Sequence, residues 1–420
     1  MYLLLLVLLM VSFVWTVGVR SCIVCLLDWY RRFNIWQLSV RGLTFESEAD
    51  RRVVCGTAWE EYCDTLKAAG ASLLSPGCPQ DPFTQAEGYR YLSRLVRVSL
   101  EAFMECADPH APTLVALANG SRDAPVKIGS DNPDNVYQSA IISGEMSYVI
   151  KVKRGTVKYL GFGTQSGSYG SVGGLKTVDY KEASEFESVD GEFEIHVSST
   201  RPPHVGNWLQ VLPDPQEAMV IVRQTREDHE NEVLAQVKIE CVDGPHQPSM
   251  CSAIAVEKAL RTSGMFVAGA PIMFARWANG FQKHCNELPL FDQETSNKAG
   301  GDPNIRYFHS YWKLKTNEAL VITTTPPQVE TWNFQLNNHW MESLDYRYYG
   351  IHVNKFTARY RKDGSIVIYV SAKDPGVEYE GDQVNWINTV GHDCGTMCFR
   401  WIRPVDSFPQ PATKVVSILE

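Results

Sequence analysis

Chemistry-bearing residues gather most densely between Trp332 and Arg347, where Asn333, Gln335, Asn337, Asn338, Glu342, Asp345 and Arg347 stand beside Trp332, Trp340 and Tyr346. Amides and carboxylates interleaved with aromatic rings suit a sugar-like or other polar-ring ligand, stacked and hydrogen-bonded at once. The same composition also builds a self-satisfied buried network that fixes the register of a sheet. Taken as a ligand site, the cleft is assigned Trp332, Asn333, Asn337, Asn338, Glu342 and Asp345, with Asn385, Trp386 and His392 from further along the chain. Read as an enzyme, it would be a hydrolase or lyase in which Glu342 or Asp345 serves as acid or base and His392 as partner.

Two other groups are weaker. His392, Asp393, Cys394 and Cys398 are competent zinc ligands, but there is no Cys-x-x-Cys and Cys398 falls in an apolar strand, so no metal is expected. Asp131 and Asp134 could act as acid and base, yet Asp beside Pro more often serves a turn by bonding nearby backbone. The common enzyme signatures are missing: there is no G-x-S-x-G elbow, no Walker sequence, no H-E-x-x-H, and Gly161-Phe162-Gly163 is no dinucleotide fingerprint. No cofactor is expected.

Such residues need a scaffold. The 420 residues carry 39 Lys+Arg against 48 Asp+Glu, a net −9, and 44% are hydrophobic. That excludes disorder and argues against nucleic acid as a partner, since no basic stripe exists to meet phosphates. From Tyr2 to Val19 there is no charged residue, which predicts a single-pass membrane anchor, with a cleaved signal peptide and secretion as the alternative. Arg20, Arg31 and Arg32 follow the run, so the body is expected in the cytosol, where Cys22 and Cys25 would be open to palmitoylation. The sequon at Asn119 pulls the other way. Eleven cysteines without regular spacing make no disulfide framework. Oligomeric state is not legible.

Residues 46–118 read as helical, with Ser47 capping one helix and a Thr84–Glu87 capping box opening another. Period-2 alternation then predicts strands, among them Phe193–Ser198, Thr331–Leu336, Lys355–Arg361 and Thr396–Ile402, with Ala218–Gln224 and Val233–Val242 forming a hairpin. Ser249–His284 returns to helix. An internal repeat organises the strands. Asp190-Gly191, an alternating strand and Asn207-Trp208 recur as Asp363-Gly364, an alternating strand and Asn385-Trp386, while Met219 and Met397 each lie twelve positions after their Asn. The fold class expected is mixed and mainly β, with two repeated antiparallel sandwich or jelly-roll-like units. The divisions are 1–27 anchor or signal, 46–118 helical, 131–245 first unit, 246–300 helical connector and 301–420 second unit.

Three segments resemble a known family: Asp131-Asn132-Pro133-Asp134-Asn135-Val136-Tyr137, Trp332 to Ser343, and Asn385 to His392. They are similar to DUF (domain of unknown function) family 1214, from about residue 125 to the C-terminus and most strongly over 308–404. The resemblance implies a mainly bacterial protein with a sandwich or jelly-roll-like architecture, and it implies no reaction. The function expected is binding of a small or carbohydrate-like ligand in an aromatic, amide-lined cleft between the units. The alternatives are the carboxylate enzyme and a non-catalytic scaffold.

Overall fold

Alternation of apolar and polar residues along the strands builds four sheets, and each pair of sheets shares one core. The computed structural model describes residues 18–118, 125–167, 175–213, 217–244, 247–298, 301–376, 378–379, 382–405 and 407–418. In the first half, β1 (Val115–Ala118), β2 (Asn135–Ser143), β8 (Glu217–Thr225), β4 (Tyr159–Ser166) and β5 (Lys176–Glu182) form one sheet in that order. Facing it are β7 (Trp208–Gln210), β6 (Glu192–Ser198), β3 (Tyr148–Lys153) and β9 (Gln236–Cys241). Ile150 and Ile195 from one sheet meet Phe162, Val220 and Val222 from the other in a single apolar cluster.

The second half repeats this topology strand for strand except for β1, which has no counterpart among the described residues. β10 (Ile305–Lys313), β18 (Cys394–Ile402), β12 (Thr331–Leu336) and β13 (His352–Asn354) match β2-β8-β4-β5. β17 (Asn385–Asn388), β14 (Ile366–Ser371), β11 (Glu318–Thr324) and β19 (Ala412–Ser417) match β7-β6-β3-β9. Phe334, Phe399, Trp332, Ile322 and Ile368 fill the core between them. A small ribbon, β15 (Glu378–Tyr379) with β16 (Asp382–Gln383), decorates the second half.

The Asn-Trp pairs that revealed the repeat are staples. Asn207 accepts from the Glu187 N–H and donates to the carbonyls of Glu187 and Glu194; Asn385 does the same with Arg359 and Val367. Trp208 Nε1–H donates to Ser198 Oγ at 3.0 Å and Trp386 Nε1–H to Ser371 Oγ at 3.1 Å. Each staple holds a strand parallel to its neighbour (β7 to β6, β17 to β14), so the sheets are not wholly antiparallel.

Helices form a further layer: α1 (Val19–Val40), α2 (Glu48–Val54), α3 (Thr57–Ala69), α4 (Pro82–Leu100) and α5 (Ala253–Phe281). Ser47 caps α2 in a box with Asp50, as its position predicts. The second helix differs. Asp81 accepts from the Thr84 N–H with Pro82 in the first turn, because Pro fits where an N–H would go unused, and Glu87 lies one turn inside. Leu73, Tyr91, Leu95 and Phe266 pack the helical layer together.

Three further expectations are corrected. β8 and β9 are no hairpin: they lie in opposite sheets, β8 beside β2 and β4 and β9 beside β3, because each strand buries one face in the shared core. Residues 355–361 form turns, with Asn354 Oδ1 accepting from the N–H groups of Phe356 and Thr357, where a strand was predicted. The single-pass anchor is not supported: among the described residues no helix is long and apolar enough to cross a membrane. Of the apolar run, residues 1–17 lie outside the described residues, and α1, which begins at Val19, contains Arg20, Asp28, Arg31 and Arg32. A cytosolic placement of the body was inferred from that anchor and falls with it.

Candidate functional site

The polar run after Thr331 separates by strand alternation. Trp332, Phe334 and Leu336 point into the core between the sheets, with Trp332 stacked on Phe399 at 5.6 Å. Asn333, Gln335 and Asn337 point the other way, toward the first half of the chain. Asn333 donates to Asn132 Oδ1 at 3.1 Å, Gln335 to the Asp131 carbonyl at 2.8 Å, and Asn337 to Ser130 Oγ at 3.2 Å. Arg400 closes the network, reaching Gln335 Oε1, Asn333 Oδ1 and the Ser130 carbonyl. All three amides are buried. They bolt the turn ahead of β2 onto the second sheet.

The residues after β12 dock onto α4. Trp340 is buried in the helical layer and donates Nε1–H to the Thr84 carbonyl at 2.8 Å. Glu342 pairs with Arg94 and accepts from Asn338 Nδ2 at 3.0 Å. Burial raises the Glu342 pKa, with Arg94 and Asn338 pulling against it. His392 Nε2 lies 2.9 Å from Glu87, and its Nδ1 faces the carbonyls of Thr389 and Val390. Burial works to lower the His392 pKa, but Glu87 and those carbonyls leave it raised. Glu342 and His392 therefore answer to different residues of α4, and Asp345 pairs with Arg347 at 2.8 Å. Asn385 and Trp386 are the staple described above. The nine residues assigned to one cleft are thus spread over a core, a joint and a staple.

Cys398 sits in β18 with His309 Nε2 3.9 Å away, while His392 is held by Glu87, so these two do not share a site. Cys25 is exposed and Cys22 half-buried; Asn119 lies outside the described residues.

A cavity does lie between the halves, elsewhere. It measures about 360 Å³ and is bounded by β2 and β8 on one side, β10 and β18 on another, and α5 on the third. Register explains its polar walls. Tyr137 on β2 stands opposite Arg223 on β8, and Tyr307 on β10 stands opposite Arg400 on β18. These are equivalent positions of the repeat, so two Tyr–Arg pairs converge on one space. Each half also carries the same Asx-Pro turn at the rim. Asn132 Oδ1 accepts from the Asp134 N–H, Asp302 Oδ1 from the Asn304 N–H, and both Asx residues reach the opposite half, Asn132 to Asn333 and Asp302 to Tyr159.

The third wall is apolar. Met265, Phe266, Met273, Phe274 and Trp277 of α5 line it, with Gly269 in the middle. His309 also lines the cavity, stacked against Phe281 at 5.4 Å and Tyr307 at 5.4 Å. Its Nδ1 is buried without a partner, and burial drives its pKa down to about 3, so the ring is neutral.

Matching Met219 to Met397 misses these pairs by one residue: the strand registers align Val222 with Phe399, and so Met219 with Thr396. A slip of one residue exchanges the two faces of a strand, which hid the match of Arg223 with Arg400.

A family model described as "Protein of unknown function (DUF1214)" matches residues 313–406. The crystal structure of an uncharacterized protein from Burkholderia cenocepacia is 41% identical over 88% of this chain and 99% of that one, with a TM-score of 0.81. The chain belongs to the DUF1214 family. The DUF1214 match takes in Arg400 and the amides of β12, and it begins after Tyr307 and His309. The VPA0106 protein from Vibrio parahaemolyticus is 12% identical over 84% of this chain and 100% of that one, with a TM-score of 0.44. Comparison with curated proteins gives no match.

Proposed function

We propose that this protein is a binding protein whose two repeated sandwich units clasp a small molecule in the cavity between them. The observation that carries the reading is the convergence of the two Tyr–Arg pairs on a space whose remaining wall is the apolar face of α5. About 360 Å³ lies at the lower end of the range for small-ligand sites, which is roughly 300–1,000 Å³. One wall offers hydrogen bonds from the guanidinium groups of Arg223 and Arg400 beside the carboxylates of Asp131 and Asp302, the opposite wall mainly methionine and aromatic surface. That division suits an amphipathic guest, with an acceptor-bearing or anionic end toward Arg223 and an apolar body against Phe274 and Trp277. A saccharide, polar on its whole circumference, fits it less well.

The test is thermal shift and calorimetry of the full chain with a medium-chain carboxylate, the matching alcohol and a panel of saccharides. A ligand at 100 times its Kd should add about 2.7 kcal/mol of stability. The carboxylate is expected to give the largest shift. Gly269→Leu serves as control, because a Cβ at Gly269 meets nothing within 4 Å and the longer side chain would fill the cavity. That variant should fold and lose the shift. Flat responses across the panel would leave the scaffold reading in its place.

A further inference from the structure

Outside the cavity, three metal-ligating side chains from three distant segments meet at one point. Asp134 lies in the Asx-Pro turn before β2, His229 in the connection after β8, and His352 opens β13. His229 Nε2 stands 3.1 Å and His352 Nε2 3.0 Å from Asp134 Oδ1, and the three ligand atoms all lie within 4.8 Å of one another. Among the described residues this is the group of three or more such side chains able to hold an ion.

We infer that Asp134, His229 and His352 form a binding site for a divalent transition cation of the zinc class, bridging the two halves of the chain. Two imidazole nitrogens and one carboxylate oxygen are a borderline-soft donor set, and three protein ligands leave at least one position open. Ligands at about 2.0–2.2 Å from such an ion lie roughly 3.0–3.5 Å from each other when adjacent, which matches both His–Asp separations. The third side closes by a small turn of the His229 ring, whose side chain is 33% exposed. Asp134 itself is buried and oriented by Asn354, whose Nδ2–H donates to Asp134 Oδ1 at 3.1 Å and to the Glu227 carbonyl at 3.0 Å.

A purely hydrogen-bonded reading is less comfortable. One carboxylate oxygen would then take donors from His229, His352 and Asn354 together. Nor does the fold require these residues. At the equivalent turn of the other half Asn304 stands where Asp134 does, and the turn is the same. By strand register the counterpart of His352 is Tyr180, since His352 faces Gln335 and Tyr180 faces Gly163.

Cobalt(II) titration of chelator-stripped full chain reads the site directly. The expected result is one equivalent bound with a visible d–d band, displaced by zinc, and no near-ultraviolet thiolate-to-cobalt band in the difference spectrum against His229→Gln. That variant should bind at least tenfold more weakly while keeping its circular dichroism, because His229 is partly exposed. His352→Gln provides a second reading of the same loss. No d–d band, a difference spectrum dominated by thiolate, or equal affinity in both variants and the native chain would each overturn the site.

Discussion

Beside Arg223, the first half of the molecule places Gly161 and Gly163 on β4; beside Arg400, the second half places Asn333 and Gln335 on β12. The strands, their order and the Tyr–Arg pairs are otherwise alike. The glycines admit the Tyr180 ring across β4, where a Cβ at Gly163 would come within 2.6 Å of it and one at Gly161 would collide with its hydroxyl. Tyr180 then carries Arg223 over its ring at 5.3 Å and shares a 2.7 Å hydrogen bond with Tyr159. In the second half the amides grip Arg400 and the turn of the first half, and the smaller ring of His352 stands where Tyr180 does. One face is thus a packed aromatic surface, the other a polar joint. Duplication supplied two equal frames, and small residues in one and amides in the other gave them different tasks.

The largest effect expected from breaking this contrast falls on Arg400. Arg400→Met strands the Gln335, Asn333 and Ser130 acceptors in a buried place, at roughly 1–3 kcal/mol for each unsatisfied group. A loss of about 3 kcal/mol or more is expected by urea denaturation, against about 2 kcal/mol for Arg223→Met, the Arg223 guanidinium lying over the Tyr180 ring. Equal losses would mean that the two faces are not different in kind.

An intermediate effect concerns acid. His309 and His339, both in the second half, are buried and held neutral, with burial lowering their pKa values to about 3 and about 4. A base whose folded pKa is depressed contributes stability above its unfolded value near 6.5, and that stability is lost as pH falls below 6.5 toward the folded value. Each group costs about 1.4 kcal/mol per pH unit across that window. His196 and His204 of the first half are not buried. Hydrogen exchange between pH 7 and pH 5 should lose protection first in β10 and β18. His392 acts with the opposite sign: its raised pKa gives stability present below about 6.5 and lost as pH rises through the folded value. Uniform loss in both halves on acidification would contradict the assignment.

The smallest effect tests where the halves should agree. Trp208→Phe and Trp386→Phe each remove one Nε1–H bond to a serine hydroxyl, worth about 1 kcal/mol. The two losses are expected to match within about 0.5 kcal/mol, a spread usual for independent sites. A several-fold difference in thermal denaturation would show that the staples are not equivalent.

Much of the frame was legible in the chain. Period-2 alternation located Thr331–Leu336 and Phe193–Ser198 within a residue of β12 and β6, and the paired Asp-Gly and Asn-Trp signals announced a duplication that the topology repeats. These are local patterns, set by backbone twist and side-chain alternation, and a linear sequence carries them. The sequence could also say that polar and aromatic residues crowd Trp332–Arg347, but not whom they address. Glu342 meets Arg94, His392 meets Glu87 and Gln335 meets the Asp131 carbonyl, across separations of 248, 305 and 204 residues. Only the packing of one half against the other, and of both against α4 and α5, decides such pairings. The cavity and the Asp134–His229–His352 cluster are of the same kind. Each is made of residues ordinary in their own segments, which become a site because two copies of a sheet meet face to face and a one-residue register determines which side chains they show each other.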